Sequence, residues 1–193
     1  MKTGPGDAAE RYPDAYIEYL VQFQAVRDYF ECHEILEDYW KEHPDSPYKE
    51  TWVMLIQLAV GLYHQRRGNM RGAFKLLTGA IRRFNAGHLS ELGIDHAELR
   101  KRICDRILEI TEQRAQPFTD LDIPLSDREL EERCRMEAAV KGKRWGQPSD
   151  MADEQLLNRH LLRDRDAVRR QRLAALELTA LRTNVKRDRR PMN

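Results

Sequence analysis

Two histidines and a glutamate carry the clearest chemical signal in the sequence. His33 and Glu37 are four residues apart, so on a helix they share a face, and that face is otherwise Phe23, Val26, Phe30 and Trp40. A second line, Val53, Gln57, Val60, His64 and Arg67, advances at spacings of 4, 3, 4 and 3. If the two lines face each other, His33, Glu37, Gln57 and His64 form a polar seam between two buried helices. Polar groups in such a place cost free energy unless they satisfy one another or bind something.

Two chemistries fit the seam. In one, Glu37 pairs with His33 or Arg67 and Gln57 ties the two helices together, giving a structural network. In the other, His33, Glu37 and His64 ligate a divalent metal such as Zn or Fe, for which two imidazoles and a carboxylate are a known donor set. The same three would then be the catalytic residues of a hydrolase or acid–base enzyme, with Glu37 completing the shell or acting as base on a bound water. The helical rise sets His64 some way past the level of His33 in an antiparallel hairpin, so a long side chain or a water would have to bridge the gap. His33-Glu34 does not open a zincin motif, because position 37 is glutamate.

Just beyond His64, the run Arg66 to Gly72 opens another helix. Its free amide groups, with Arg67, Asn69 and Arg71, could receive an anionic ligand next to Gln57 and His64. The plainer alternative is an interhelical turn whose arginines are solvated or ion-paired. His43, His88, His96 and His160 read as surface residues, and Cys32 as a buried, inert thiol. Neither Gly-rich phosphate cradle occurs, so nucleotide binding of the usual kinds has no support.

The elements that must position these residues are helical. From Asp14 to Glu42 the apolar spacing is helical throughout, with a second line, Ala25, Tyr29, Cys32, Leu36 and Tyr39, beside the first. Asp28 followed by Glu31 forms a capping-box pattern, which would divide this stretch into two helices. After a Pro-containing turn, residues 50–67 are apolar nearly all round, which puts that helix in the middle of a bundle. Gly68-Asn69 supplies a stop. The next helix, 70–84, contains Gly72 and Gly79, whose cost in propensity a close backbone approach would explain. Residues 85–95 read as a loop and 96–113 as a fourth helix.

The expected fold is therefore all-α, a compact antiparallel bundle of about four core helices with an additional helical C-terminal extension. The expected organisation is a flexible leader (1–13), a helical core (14–116) and a linker (117–126) whose Phe118, Leu121 and Ile123 could cover the bundle. A charged helical extension (127–185), with one helix running from about 153 to 180, and a disordered basic tail (186–193) complete it.

Composition bounds the partners. The chain has 193 residues with net charge +1, and 41% of them are hydrophobic, enough for a core. Residues 1–124 hold 16 Lys/Arg and 20 Asp/Glu, whereas residues 125–193 hold 17 and 12, so the halves would attract opposite partners. The arginines of 159–193 allow weak, nonspecific nucleic-acid binding. Three scattered cysteines, no signal-peptide pattern and no long apolar run indicate a cytoplasmic protein with no membrane partner.

Three blocks then resemble a known family: Tyr29 to Trp40, Leu55 to His64, and Arg67 to Ala73. In that order they are similar to the DUF309 family over roughly residues 16–85. The resemblance implies a compact all-α domain and puts His33, Glu37, Trp40, Gln57, His64, Gly68, Asn69, Gly72 and Ala73 at motif positions. It implies no activity, and it does not extend to residues 125–193. The reading that combines these observations is a structural or protein-interaction module, self-association included, with a His/Glu/Gln polar seam. A divalent-metal enzyme and a nucleic-acid-associated protein are the alternatives.

Overall fold

A computed structural model describes residues 11–112 and 117–162. Among them the fold is helical, with one isolated β-bridge joining Ile94 to Leu125. Two compact units divide after Leu157. The expected leader before residue 11 and the expected extension and tail beyond residue 162 lie outside the described residues.

The capping pattern at Asp28 marks a real boundary. Helix α1 (Asp14–Val21) runs into a π-helical turn, Gln22–Val26, and stops at Arg27, a non-glycine residue with φ of +64°. Asp28 then caps α2 (Tyr29–Glu42), its side chain accepting from the Glu31 amide at 3.0 Å. The break resets the helical phase. On α2 the fully buried residues are Tyr29, Cys32 and Leu36, so the companion line faces the core. His33 and Glu37 lie on its flank, half-buried.

Helix α3 (Lys49–Arg66) takes the central position that its all-round apolar pattern demands, with α2 and α4 (Met70–Arg82) packed against it. Its contact with α4 is close because of glycine. A Cβ on Gly61 would lie 2.9 Å from Leu77 Cδ2, and one on Gly79 would lie 2.9 Å from Gln57 Oε1. Between α3 and α4 the chain turns at Gly68, whose φ of +75° suits a residue without Cβ.

Residues 85–95 are not wholly a loop. Asn85 accepts from the His88 amide and caps a short helix, α5 (Ala86–Glu91). Asp95 likewise caps α6 (His96–Thr111), which packs on α4. Leu121 and Ile123 are buried in the core, with Phe118 and Leu125 packed against it. Helix α7 (Arg128–Val140), capped by Asp127, packs on α1. The single long helix expected from 153 is replaced, as far as the described residues reach, by α8 (Glu154–Leu157) and, in the second unit, α9 (Arg159–Leu162). No helix of the described residues is long and apolar enough to cross a membrane.

Candidate functional site

The α2 flank holds the first cluster. His33 Nδ1 lies 2.8 Å from Glu34 Oε1, and His33 Nε2 lies 3.2 Å from Glu37 Oε2. Lys41 Nζ closes on the other Glu37 oxygen at 3.0 Å. The imidazole is thus held at both ring nitrogens, an arrangement that the doubly protonated ring can satisfy as donor on both sides. The side chains of His33, Glu34 and Glu37 retain 31%, 23% and 33% exposure, so solvent reaches the cluster.

One ligand atom from each of His33, Glu34 and Glu37 falls within 4.8 Å of the others, a spacing compatible with a metal ion. His64 stands outside this group, and Glu34, which the motif reading passed over, takes the third position. The reason is local: residues one and four apart on a helix reach each other without help from a second helix.

His64 belongs to the α3–α4 junction. Asn69 Nδ2 donates to His64 Nδ1 at 2.9 Å, while Asn69 Oδ1 accepts from the Gly72 amide at 2.9 Å and so caps α4. This bond assigns the acceptor role to Nδ1 and leaves the proton on Nε2. Burial, and then the charge of Arg67, push the His64 pKa below its ordinary value and favour that neutral ring. Gly72 makes room for it: a Cβ there would lie 3.0 Å from Nδ1.

Gln57 corrects one expectation. It does not tie α2 to α3; its Oε1 accepts a long 3.4 Å contact from Arg83 Nη1 and sits over Gly79, so it joins α3 to α4. Arg83 also reaches Glu50 at 3.1 Å. Arg67 lies over the Tyr63 ring at 5.7 Å, and Arg71 is exposed on the first turn of α4. The described contacts therefore fall into two sets, His33 with Glu34 and Glu37 on α2, and Gln57, His64 and Asn69 on the α3–α4 seam.

Among the described residues, the most extensive polar network lies elsewhere. Arg27, 2% exposed, donates to Asp122 Oδ1 at 2.6 Å, to the Gln147 carbonyl at 2.7 Å and to the Phe23 carbonyl at 3.1 Å. Arg66, 5% exposed, donates from Nη1 to the Arg27 carbonyl at 2.7 Å and to Ser149 Oγ at 3.2 Å, and from Nη2 to the Leu156 carbonyl at 3.1 Å. Its guanidinium also lies 4.8 Å over the Tyr29 ring. Asp120 accepts from Tyr29 Oη at 2.7 Å and from both the amide and hydroxyl of Ser149 at 2.6 Å.

Burial alone would raise the Asp120 pKa, but the Ser149 and Tyr29 hydrogen bonds and the charge of Arg27 bring it below the ordinary carboxylate value. For Arg66, burial prevails and lowers the pKa. The network fastens the 120–122 and 147–156 stretches to the helices before them. Arg66 carried one usable signal, since it continues the stripe of Leu55, Ala59 and Leu62 on α3 and so faces the core. Asp120 and Ser149, on irregular chain, had none.

Residues 16–76 match the family described as "Domain of unknown function (DUF309)". The chain is 46% identical over 171 residues to "Uncharacterized protein YpuF" of Bacillus subtilis (strain 168), a similarity covering 86% of this chain and 95% of that protein. An alignment of 171 residues cannot fit within the first 124, so the likeness to this relative runs into the second half. No solved structure matches.

Proposed function

From the premise that the chain belongs to the DUF309 family, we propose that it is a helical interaction module that binds a protein partner through the polar surface of α2 and α3. The observation that carries this reading is the state of the two imidazoles. His33 is engaged at both nitrogens by Glu34 and Glu37, and His64 at Nδ1 by Asn69. Such side chains are fixed in place and half-exposed, which suits recognition: little conformational entropy remains to be lost when a partner docks. Arg67 and Arg71 extend the surface with positive charge, and Asn69 and Gln57 are its uncharged polar members. Acid–base catalysis by His33, Glu37 and His64 would need the three to converge on one reacting atom, and the two histidines have separate partners.

A photo-crosslinker in place of Gln57 tests this reading against one in place of Lys101, on the outer face of α6. A discrete crosslinked species is expected from position 57 and not from 101, and it should disappear with Glu37→Lys. A product at twice the chain mass would identify a second copy as the partner. Equal crosslinking from both positions would remove the proposal.

One observation favours a second reading, a divalent-cation site. Glu34, Glu37 and His33 offer two carboxylates and an imidazole, a donor set suited to Zn or Fe. His33 and Glu37 keep the roles that the sequence suggests, and Glu34 replaces His64. Elemental analysis of untagged protein, followed by calorimetric titration with Zn²⁺, separates the readings. Stoichiometric binding lost in Glu37→Gln would establish the cation site, and heats unchanged by that substitution would dismiss it.

A further inference from the structure

At the opposite end of α2 lies a feature that the interaction surface does not use. Glu42 lies nine residues beyond His33, about 14 Å along the axis. Here α2, the turn into α3, α5 and the residues before α1 enclose a cleft of about 760 Å³. That size falls within the range of small-molecule sites.

Aromatic rings form much of the cleft. Trp52 is its floor, 1% exposed, with its indole N–H donated to Ser46 Oγ at 3.3 Å. Tyr39 meets Trp52 edge-on at 5.6 Å and Tyr48 meets it at 5.8 Å, so both rings flank the floor. His43 stacks on Tyr39 at 4.1 Å and widens that wall. Tyr39 and Tyr48 are only partly buried and offer ring surface to the opening.

The charge around these rings is negative. Asp14, Glu42, Asp45 and Glu91 line the cleft, and Arg11 is the one lining residue with a fixed positive charge. Arg11 is engaged by Asp127 at 3.0 Å, and Asp14 by Arg133 at 2.8 Å. Glu91 accepts from the Tyr48 hydroxyl at 2.9 Å. Among the described residues, Glu42, Asp45 and Glu91 have no cationic partner. Aromatic faces attract cations through their quadrupole, and carboxylates at the rim add a second attraction of the same sign.

We propose that this cleft binds a small organic cation bearing an alkylammonium group, with its methylene or methyl groups against Tyr39 and Tyr48, above Trp52, and its charge toward Glu42, Asp45 and Glu91. Aromatic contact selects an alkylated ammonium over a hydrated metal ion. The surplus of carboxylates selects against anions.

The test is a titration of the full chain with choline, putrescine and spermidine at constant ionic strength, following the Trp52 indole N–H resonance by NMR. A saturable shift is expected from at least one of these amines. The exposed double variant Glu42→Gln/Glu91→Gln should weaken it about tenfold, an effect of the size that cation–π and charge contacts provide. Glu34→Gln/Glu37→Gln, at the other end of α2, should leave it unchanged. Four results would overturn the proposal: no saturable shift, an equal shift from NaCl, unaltered affinity in the rim double variant, or binding confined to lysine-bearing peptides.

Discussion

Around Arg27 and Arg66, charge is buried and satisfied largely by main-chain carbonyls from distant parts of the sequence. Around His33, charge is half-exposed and satisfied by neighbours on the same helix. Both clusters pair cations with acceptors, yet their consequences differ. A buried guanidinium that loses its acceptors keeps its full desolvation penalty, so the first cluster ties tertiary structure together. An exposed pair that loses a member is rehydrated, so the second can change partners at little cost to the fold. Tertiary positioning belongs to the first, and the proposed recognition to the second.

Breaking that contrast starts at its strongest point. Asp120→Ala should destabilise the chain by about 3–5 kcal/mol in a denaturant titration, because it removes the acceptor of Tyr29 and Ser149 and the buried carboxylate 3.9 Å from Arg27. Next is the seam between α3 and α4. Gly61→Ala places a methyl 2.9 Å from Leu77 Cδ2, and the overpacking, about 1–3 kcal/mol, should exceed the ~1 kcal/mol that alanine gains over glycine in a helix. Glu34→Gln/Glu37→Gln, in contrast, should change stability by less than about 1 kcal/mol. A large loss there would erase the distinction between the clusters.

Acid titration sharpens the same comparison. The folded pKa of Asp120 lies below its ordinary value of 3.8, so the stability that it contributes is complete above about that pH and falls as pH drops through the folded value. Asp120→Asn should flatten this part of the stability curve. His64 supplies the smallest effect: its folded pKa lies below 6.5, so its contribution is present above that pH and declines as acid protonates the unfolded chain first. The His64 ring resonances should titrate with a midpoint below 6.5 and move toward it in Asn69→Ala.

What the sequence made legible was periodic or local. Helix α3 is apolar on every side and is central; Asp28 lies three residues before Glu31 and caps α2; Gly72 and Gly79 repeat every seven residues and lie beneath His64 and Gln57. His33 and Glu37 meet because four residues make about one helical turn. The unreadable parts depend on distant chain. Gln57 turns to Arg83 and not to α2, and Gly79 of α4 leaves space for it on that side. The network of Arg27, Arg66, Asp120 and Ser149 joins residues with no common period, and an arginine beside a Gly-Asn turn resembles a solvated one until its helical stripe is traced.

The separation of those partners also bears on synthesis. Arg27 reaches acceptors 95 and 120 positions later, and Arg66 one 90 positions later. Contacts so far apart are slow to close. While the chain emerges from the ribosome, α1 to α4 can wind and pack before Asp122, Gln147 and Leu156 exist, but the guanidinium groups that these acceptors serve must stay partly hydrated until then. The last quarter of the first unit therefore acts as a finishing clasp, and a nascent chain halted before it would remain ajar at the α1–α2 corner.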